Sequence, residues 1–253
     1  MNTFKTNQFN NNINKIISEF ITNVEQFNEL INKHNIVLSG SSVLKSINND
    51  DYDIKDLDLY INSDIKDLDL YINSDIQLPF ASFNKETIRN AILDICPEVY
   101  KFIENNTDYK ISKLMTSDEN KIMNDLYRGM RGINYVFTLC NDKNSKTIEL
   151  IICHNYIDII QDFDLSINKN YWNWENITIT DPKAVFSKHE KLSLHIKSKL
   201  DYYTLERIDK YRKRGYNIEL IELTSLLPKS IYNSVDLVQI ISNTFRDFVF
   251  ESA

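Results

Sequence analysis

Two aspartates at alternate positions of a short apolar run are the residues of this sequence best suited to chemistry. The run is Asp56-Leu-Asp-Leu-Tyr-Ile61, and its composition predicts a β-strand. Because side chains alternate across a strand, Asp56 and Asp58 are expected on one face and the leucines on the other. Two carboxylates this close repel each other unless a cation lies between them. The spacing therefore favours a divalent metal site, whereas a solvated strand face is the plainer interpretation.

A small turn upstream of this strand could bind phosphate. Ser39-Gly40-Ser41 follows a short apolar run and precedes a helical pattern, which predicts a strand, a tight turn and a helix start. Backbone N–H groups at such a helix start bind anions. Gly40 and Ser41 are the candidate contacts to a phosphate group. The alternative is an ordinary turn with Ser41 or Ser42 as N-cap, and both interpretations can hold at once.

A third acid lies on a predicted strand far along the chain. Residues 133–139 and 147–152 read as two strands, and the polar segment 141–145 between them predicts a hairpin. Glu149 stands between apolar neighbours on the second strand, which places it on a central strand near the acid pair. A phosphate-binding turn beside metal-binding acids is the outline of a site for a nucleoside triphosphate.

Taken in this order, the motifs resemble the signature of the nucleotidyltransferase superfamily, which has a polymerase-β-like fold. The chain resembles members from large DNA viruses and fungi, and the resemblance covers about residues 35–216. Segments 163–166 and 207–215 also resemble sequences that follow the catalytic core in that group.

The resemblance implies an enzyme that transfers a nucleoside monophosphate from an NTP to a hydroxyl acceptor and releases pyrophosphate. Asp56, Asp58 and Glu149 would be the catalytic metal ligands for Mg²⁺ or Mn²⁺, and Gly40 and Ser41 would bind the nucleotide. The acceptor, whether nucleic acid, small molecule or protein, stays open. The alternative is a catalytically inactive binding or interaction protein that keeps this scaffold.

An identical tandem copy complicates the choice of acid pair. Residues 53–63 recur unchanged as residues 64–74, so Asp67 and Asp69 duplicate Asp56 and Asp58. A sheet needs only one copy, and a misplaced copy would spoil a metal site. We favour Asp56 and Asp58, because 14 residues separate Ser41 from Asp56 and 25 separate it from Asp67. The spacing of 14 residues is close to the usual spacing of the family, and Asp67 and Asp69 remain alternatives.

Other polar residues have plainer interpretations. Asp162 and Asp164 form a second alternating acid pair that could assist Glu149, although a surface pair is the commoner case. A basic cluster follows near the end of a predicted helix, where a solvated face is the usual explanation. Its interleaved Tyr211 and Tyr216 also allow contact with bases or a triphosphate. The members of the cluster are Arg207, Lys210, Arg212, Lys213 and Arg214. The histidines show no paired ligand spacing.

Composition and pattern limit the class of protein. The chain has 253 residues and a net charge of −7, which disfavours a surface devoted to nucleic acid. Three cysteines without metal or disulfide spacing indicate reduced thiols. Neither a membrane-spanning run nor a signal-peptide core is evident, so we expect a soluble, intracellular (cytoplasmic) protein without a membrane partner. The sequence gives no prediction of oligomeric state.

We predict an α/β (α+β) fold with a small mixed sheet flanked by helices. The proposed division is a catalytic core over residues 1–154 and a mixed, mainly helical C-terminal subdomain over residues 155–253. The polar composition of residues 1–10 predicts a frayed end. Helical spacing predicts one helix from Ile13 to near Asn35, a helix from Asn84, and helices over 192–211 and 234–250. Residues 98–130 are assigned to helix and loop, with Pro97 at a helix boundary.

Overall fold

A computed structural model describes residues 6–62, 85–116, 132–194 and 199–223 of the chain. Within these residues, eight α-helices flank a mixed sheet of seven strands, and two further strands form a small second sheet. This arrangement confirms the predicted fold class, an α+β fold with a mixed sheet between helices. No helix in the described ranges is long and apolar enough to cross a membrane.

The helices, numbered in chain order, are mostly short. They are α1 (Thr6–Ser18), α2 (Val24–Lys33), α3 (Ser41–Asn48), α4 (Lys85–Ile95), α5 (Pro97–Asn106), α6 (Tyr156–Gln161), α7 (Pro182–Ser187) and α8 (Lys199–Lys213), with a 3₁₀-helix at Ser166–Asn168. As expected, a helix begins next to Asn84, and Pro97 opens the following one.

The strands supply the layer on which the acids lie. They are β1 (Val37–Ser39), β2 (Asp56–Asn62), β3 (Lys110–Thr116), β4 (Ile133–Asn141), β5 (Lys146–Cys153), β6 (Asn170–Trp172), β7 (Ile177–Ile179), β8 (His189–Leu194) and β9 (Asn217–Leu223). The order in the main sheet is β3-β4-β5-β2-β1-β6-β7, and β8 pairs with β9. Strands β4 and β5 form the predicted antiparallel hairpin, whereas β2 and β5 run parallel.

The two faces of the main sheet differ in character. Leu57 and Leu59 of β2 are fully buried in a core that helices α1 to α5 share. Burial of a leucine contributes roughly 1.5–3 kcal/mol, so this face holds the layers together. On the other face, Tyr60 packs with Ile159 and Ile160 of α6 in a smaller cluster. The alternation in β2 thus leaves its aspartates on the face that is only partly covered.

Two predictions for the N-terminal region are wrong. The segment predicted as one helix from Ile13 to near Asn35 is divided into α1 and α2, with a turn between Ser18 and Val24. Asn23 begins α2 by accepting a hydrogen bond from the backbone N–H of Gln26, which fixes the turn. Residues 6–10 are not frayed: they belong to α1, where Phe9 is 1% exposed and contacts Trp172 edge to face.

Later residues depart from the predicted pattern in two places. Residues 110–116, expected as helix or loop, form strand β3 at the edge of the sheet. The helix predicted over 192–211 begins only at Lys199, because residues 189–194 form β8. Strands β6 and β7, beyond the proposed boundary at 154, extend the same sheet as β1 to β5. The helix predicted over 234–250 lies outside the described residues.

Candidate active site

One cavity brings together five residues that the sequence singled out. Gly40, Ser41, Asp56, Asp58 and Glu149 all line it, and its volume is about 210 Å³. The remaining lining residues are Tyr60, Ile151, Phe163, Asp164, Asn168, Arg207, Lys210 and Tyr211. Five separate parts of the chain thus converge at one place.

The positions of the three acids follow from strand register. Asp58 and Glu149 are direct Cα partners in the parallel pair of β2 and β5, so their side chains leave the same face of the sheet. Neighbouring strands lie about 4.8 Å apart, which makes these carboxylates close neighbours. Asp56 lies two residues before Asp58 on that face, opposite Thr147. All three acids are half-buried.

The first copy of the repeat supplies the acid pair in the sheet. Residues 56–62 of that copy form β2, between β1 and β5. Asp67 and Asp69 of the second copy lie outside the described residues. Their alternative role therefore stays a prediction.

Gly40 is required by both its backbone and its neighbour. Its φ of +78° lies in the region that favours glycine. A Cβ at this position would lie 2.7 Å from Oδ2 of Asp58, closer than real Cβ contacts allow. Gly40 is also the N-cap residue of α3, without a side-chain cap, so the alternative with Ser41 or Ser42 as N-cap is wrong. The carboxylate of Asp58 thus lies directly against the glycine-serine turn.

The serines around the turn have different roles. Ser39 Oγ donates to the Asn170 carbonyl at 2.7 Å, and Ser42 Oγ donates to the Ser39 carbonyl at 3.3 Å. Both are buried and hold the turn in place. Ser41 instead lines the cavity, while its carbonyl accepts a hydrogen bond from the Tyr52 hydroxyl at 3.1 Å. Ser41 is therefore the serine placed to contact a ligand.

The surroundings of Asp58 and Glu149 shift the pKa values of both carboxyl groups. Burial, together with the nearby charges of Asp56 and Glu149, raises the pKa of Asp58 well above its ordinary value of 3.8. Burial and Asp56 also raise the pKa of Glu149, against the opposing effects of Lys113 and a hydrogen bond to Thr138. Lys210 acts to lower the pKa of Asp58. Without a counter-ion, Asp58 and Glu149 therefore ionise fully only at a higher pH than free carboxyl groups do.

Helix α8 supplies the basic wall of the cavity. Arg207 and Lys210 line it, and Arg207 Nη1 lies 3.1 Å from Asp164 Oδ2. Asp164 thus reaches the cavity, whereas Asp162 is exposed and is not a lining residue.

The rest of the predicted basic cluster is engaged elsewhere. Arg212 Nε donates to the Ile218 carbonyl at 3.0 Å, and Lys213 pairs with Asp209 at 2.6 Å. The Arg214 guanidinium stacks on the Tyr52 ring, 4.0 Å from its centroid. Tyr211 and Tyr216 are both buried, at 3% and 2% exposure, and they contact each other edge to face. Tyr216 therefore serves packing, whereas Tyr211 forms part of the cavity wall.

Asn168 is a lining residue that sequence reasoning missed. It is 6% exposed, and its Oδ1 has no hydrogen-bond partner among the residues that the structure describes. It belongs to the 3₁₀-helix, whose first two N–H groups, those of Ser166 and Ile167, donate to the buried carboxylate of Glu190 at 2.7 and 3.3 Å. Glu190 therefore positions Asn168. The roles of Asn168 and Glu190 depend on contacts between segments that are distant in sequence, and no local sequence pattern indicates them.

The histidines contribute nothing to the cavity wall within the described ranges. His34 contacts Glu98, His189 contacts Glu219, and His154 is exposed. His195 lies outside the described residues. The cavity therefore offers oxygen donors rather than imidazole to a metal ion. Within the described part of the chain, no three His, Cys, Asp or Glu side chains are already gathered as a metal-ligand set.

Comparisons with known proteins add no relative to this description. No model of a known protein family matches the chain. A search of curated proteins likewise finds no match.

Proposed function

We propose that this protein is a metal-dependent nucleotidyltransferase, which transfers a nucleoside monophosphate from an NTP to a hydroxyl acceptor. The observation that carries the proposal is the shared cavity. Three acids on two adjacent strands face the glycine-serine turn that opens α3. This combination is what a site for a divalent metal ion and a phosphate chain requires, and it supports the proposal.

The lining residues fit Mg²⁺ or Mn²⁺ by their chemistry. Asp56, Asp58 and Glu149 offer hard carboxylate oxygens, the donors that these ions prefer. Because β2 and β5 are neighbours, rotation about side-chain bonds would bring oxygens of Asp58 and Glu149 to a shared ion. When bound, the metal would neutralise charge on the α-phosphoryl group and lower the pKa of the attacking hydroxyl.

The chain's own residues would bind the triphosphate from two sides. Ser41 and the backbone N–H groups at the start of α3 would contact the phosphates from one wall. Arg207 and Lys210 would contact them from the other. The lining set contains four acids, namely Asp56, Asp58, Glu149 and Asp164, against these two cations. A nucleotide without metal would therefore be repelled, and nucleotide binding should require the divalent ion.

The reaction is an in-line displacement at the α-phosphorus. The acceptor oxygen forms a bond to the α-phosphorus, and the bond from that phosphorus to the oxygen bridging the β-phosphorus breaks. Pyrophosphate leaves with the bonding electrons. The proton of the acceptor hydroxyl passes to the acid nearest the acceptor, for which Glu149 or Asp56 is placed.

The test measures transfer and nucleotide binding in matched variants. Asp58→Asn is combined with Asp69→Asn, so that the second copy cannot supply an intact acid pair. The repeat also provides the control, Asp53→Asn with Asp64→Asn, because Asp53 is exposed and lies outside the cavity. Each protein is incubated with α-labelled NTPs, Mg²⁺ or Mn²⁺, and a panel of acceptors.

We expect release of pyrophosphate by the wild type and the control, and a loss on the order of 100-fold or more in the Asp58 variant. Isothermal titration should show NTP binding only when metal is present. If the wild type neither transfers a nucleotide nor binds NTP with metal, the enzyme proposal fails. Metal-independent binding of a partner by such a protein would support the inactive scaffold instead.

A further inference from the structure

A buried carboxylate that does not line the cavity joins the end of α3 to residues on either side of α8. Asp50 follows α3, and its side chain is only 5% exposed. The Tyr216 hydroxyl donates to Asp50 Oδ2 at 2.6 Å, and the Lys188 ammonium donates to Oδ1. Both oxygens of the carboxylate are therefore bound, one by a residue that precedes α8 and one by a residue that follows it.

Further contacts hold the two partners of Asp50 in place. Asn48 Nδ2, at the end of α3, donates to the Tyr216 hydroxyl at 2.9 Å and to the Val185 carbonyl at 3.0 Å. The Lys188 ammonium also lies over the Tyr216 ring, 5.5 Å from its centroid. Lys188 itself has a φ of +53°, a conformation that is unfavourable for a lysine and persists only where surrounding contacts determine it. The contacts around Asp50 therefore offset a local strain.

Tyr52, two residues after Asp50, makes a second connection between α3 and the end of α8. Its hydroxyl donates to the Ser41 carbonyl at 3.1 Å. The Arg214 guanidinium lies 4.0 Å from the centroid of the Tyr52 ring and 5.2 Å from that of Tyr211, which lines the cavity. Tyr52 therefore contacts the backbone of the glycine-serine turn on one side and the residue that follows α8 on the other.

These two connections complement the apolar packing of α8. Leu205, Ile208 and Tyr211 bury one side of the helix in the core. Apolar burial is non-directional, so it holds a helix against the body of the protein more strictly than it fixes the rotation or axial shift of that helix. Hydrogen bonds are directional, and those of Asp50 and Tyr52 add the constraint that apolar packing supplies least.

We propose that Asp50 and Tyr52 are positioning residues, which hold α8 at a fixed distance from the glycine-serine turn. Ser41 and the cations of α8, Arg207 and Lys210, then contact one triphosphate together. This inference rests on the proposed function, and neither positioning residue lines the cavity. A displacement of about 1 Å between groups that bind one ligand weakens their contacts to it, so loss of either connection should lower nucleotide affinity.

The test compares three conservative variants with a closely matched control. Asp50→Asn removes the charge, Tyr216→Phe removes a hydroxyl that binds it, and Tyr52→Phe removes the hydrogen bond to Ser41. The control is Asp51→Asn, because Asp51 stands between the two positioning residues and is exposed. Isothermal titration with ATP, CTP, GTP and UTP, each with Mg²⁺, measures nucleotide affinity. Hydrogen exchange followed by mass spectrometry measures the local stability of α8 and of the β4–β5 hairpin.

Each of the three variants should raise the Kd of the NTP that binds the wild type on the order of 10-fold, whereas Asp51→Asn should leave it unchanged. Amides of α8 should exchange faster in Asp50→Asn, while those of β4 and β5 keep the wild-type rate because the sheet does not open with the helix. Asp50→Asn and Tyr216→Phe disturb one shared contact, so the double variant should lose no more affinity than Asp50→Asn alone.

A purely stabilising role predicts a different result. Each variant would then lower the free energy of unfolding, and exchange would accelerate alike in α8, β4 and β5, while the folded protein kept the wild-type affinity for NTP. That pattern would overturn the inference, and the two Tyr→Phe variants can show it even if Asp50→Asn does not fold. If the wild type binds no NTP but exchange accelerates in α8 alone, the connection from Asp50 to α8 stands and the proposed function fails.

Discussion

Oδ2 of Asp58 lies against the Cα of Gly40, so close that a Cβ there would stand 2.7 Å from the carboxylate oxygen. The relationship joins the strand that carries the aspartates to the glycine-serine turn that opens α3. A ligand held by both would contact the carboxylate and the first N–H groups of α3 together. The closeness of these two residues leads directly to the first prediction.

Gly40→Ala should destabilise the fold and abolish metal-dependent nucleotide binding. The substitution places a side chain both at a φ of +78° and against Asp58. The matched control is Gly215→Ala, whose φ is +88° but whose Cβ would have open space around it. Strain alone should cost about 1 kcal/mol of unfolding free energy in the control, and Gly40→Ala should cost more. Urea unfolding and isothermal titration measure the two effects. Equal costs and retained nucleotide binding in both variants would contradict the close contact.

Asp58→Asn, combined with Asp69→Asn, should stabilise the protein in the absence of metal at pH 7 to 8. Burial and neighbouring charges raise the pKa of Asp58 and of Glu149 above their ordinary values of 3.8 and 4.5. A carboxyl with a higher pKa in the folded state binds its proton more tightly there, so stability falls as pH rises from the ordinary value through the folded one. Removing one of the charges should recover about 1 kcal/mol and flatten this decline.

Thermal unfolding between pH 4 and 8, with a chelator, checks the expectation. Addition of Mg²⁺ or Mn²⁺ should then raise the Tm of the wild type and leave the variant unchanged, because ligand binding to the folded state stabilises it. A variant that is less stable than the wild type throughout, or that gains as much from metal, would contradict the description of the acids as a confined metal-binding set.

Arg207→Ala should weaken nucleotide affinity on the order of 10-fold, because it removes a cation from the cavity wall. Lys213→Ala is the matched control: it lies on the same helix, and its side chain is 75% exposed in a pair with Asp209. A surface pair of this kind contributes little to stability. Titration of NTP with Mg²⁺ compares the two. Equal affinity in both variants would show that Arg207 does not contact the phosphates.

Glu190→Ala should weaken nucleotide binding although Glu190 itself does not line the cavity. The buried carboxylate accepts the N–H groups of Ser166 and Ile167, and hydrogen bonds to a charged group contribute about 1.5–3 kcal/mol. We expect a loss of that order in unfolding free energy, together with weaker nucleotide binding through Asn168. Glu190→Gln keeps the shape and should recover most of both, whereas Glu175→Gln, at an exposed site, should change neither. Titration and urea unfolding report the outcome, and normal nucleotide affinity in the alanine variant would refute the positioning role.

Local patterns predicted the central strands of the sheet well. The alternation in β2 and the β-branched and aromatic runs of β4 and β5 identified these strands and brought Glu149 near the aspartates. Strand β3 was not predicted from the sequence, because a bulge at Ser112 interrupts its alternation. Two polar residues, Ser112 and Lys113, therefore follow each other where an apolar residue would be expected. The break after α1 was not predicted, because Phe20 and Ile21 continue the apolar spacing through the turn and both are buried.

The remaining site residues were beyond local reasoning for a different reason. Asn168 and Glu190 acquire their roles only when the 3₁₀-helix meets β8. In the basic cluster, charge alone did not distinguish Arg207 and Lys210 from Arg212 and Lys213. Their separation depends on which side of α8 faces the cavity, and that is decided by the packing of the whole chain.

The central location of β2 affects how readily the two identical copies, residues 53–63 and 64–74, could exchange places in the sheet. This strand is hydrogen-bonded to β1 on one side and to β5 on the other. The duplicate at residues 64–74 can take its place only after both ladders are broken, which amounts to global opening of the fold. Exchange between the two copies would therefore require global unfolding of the molecule, so it could proceed no faster than unfolding itself.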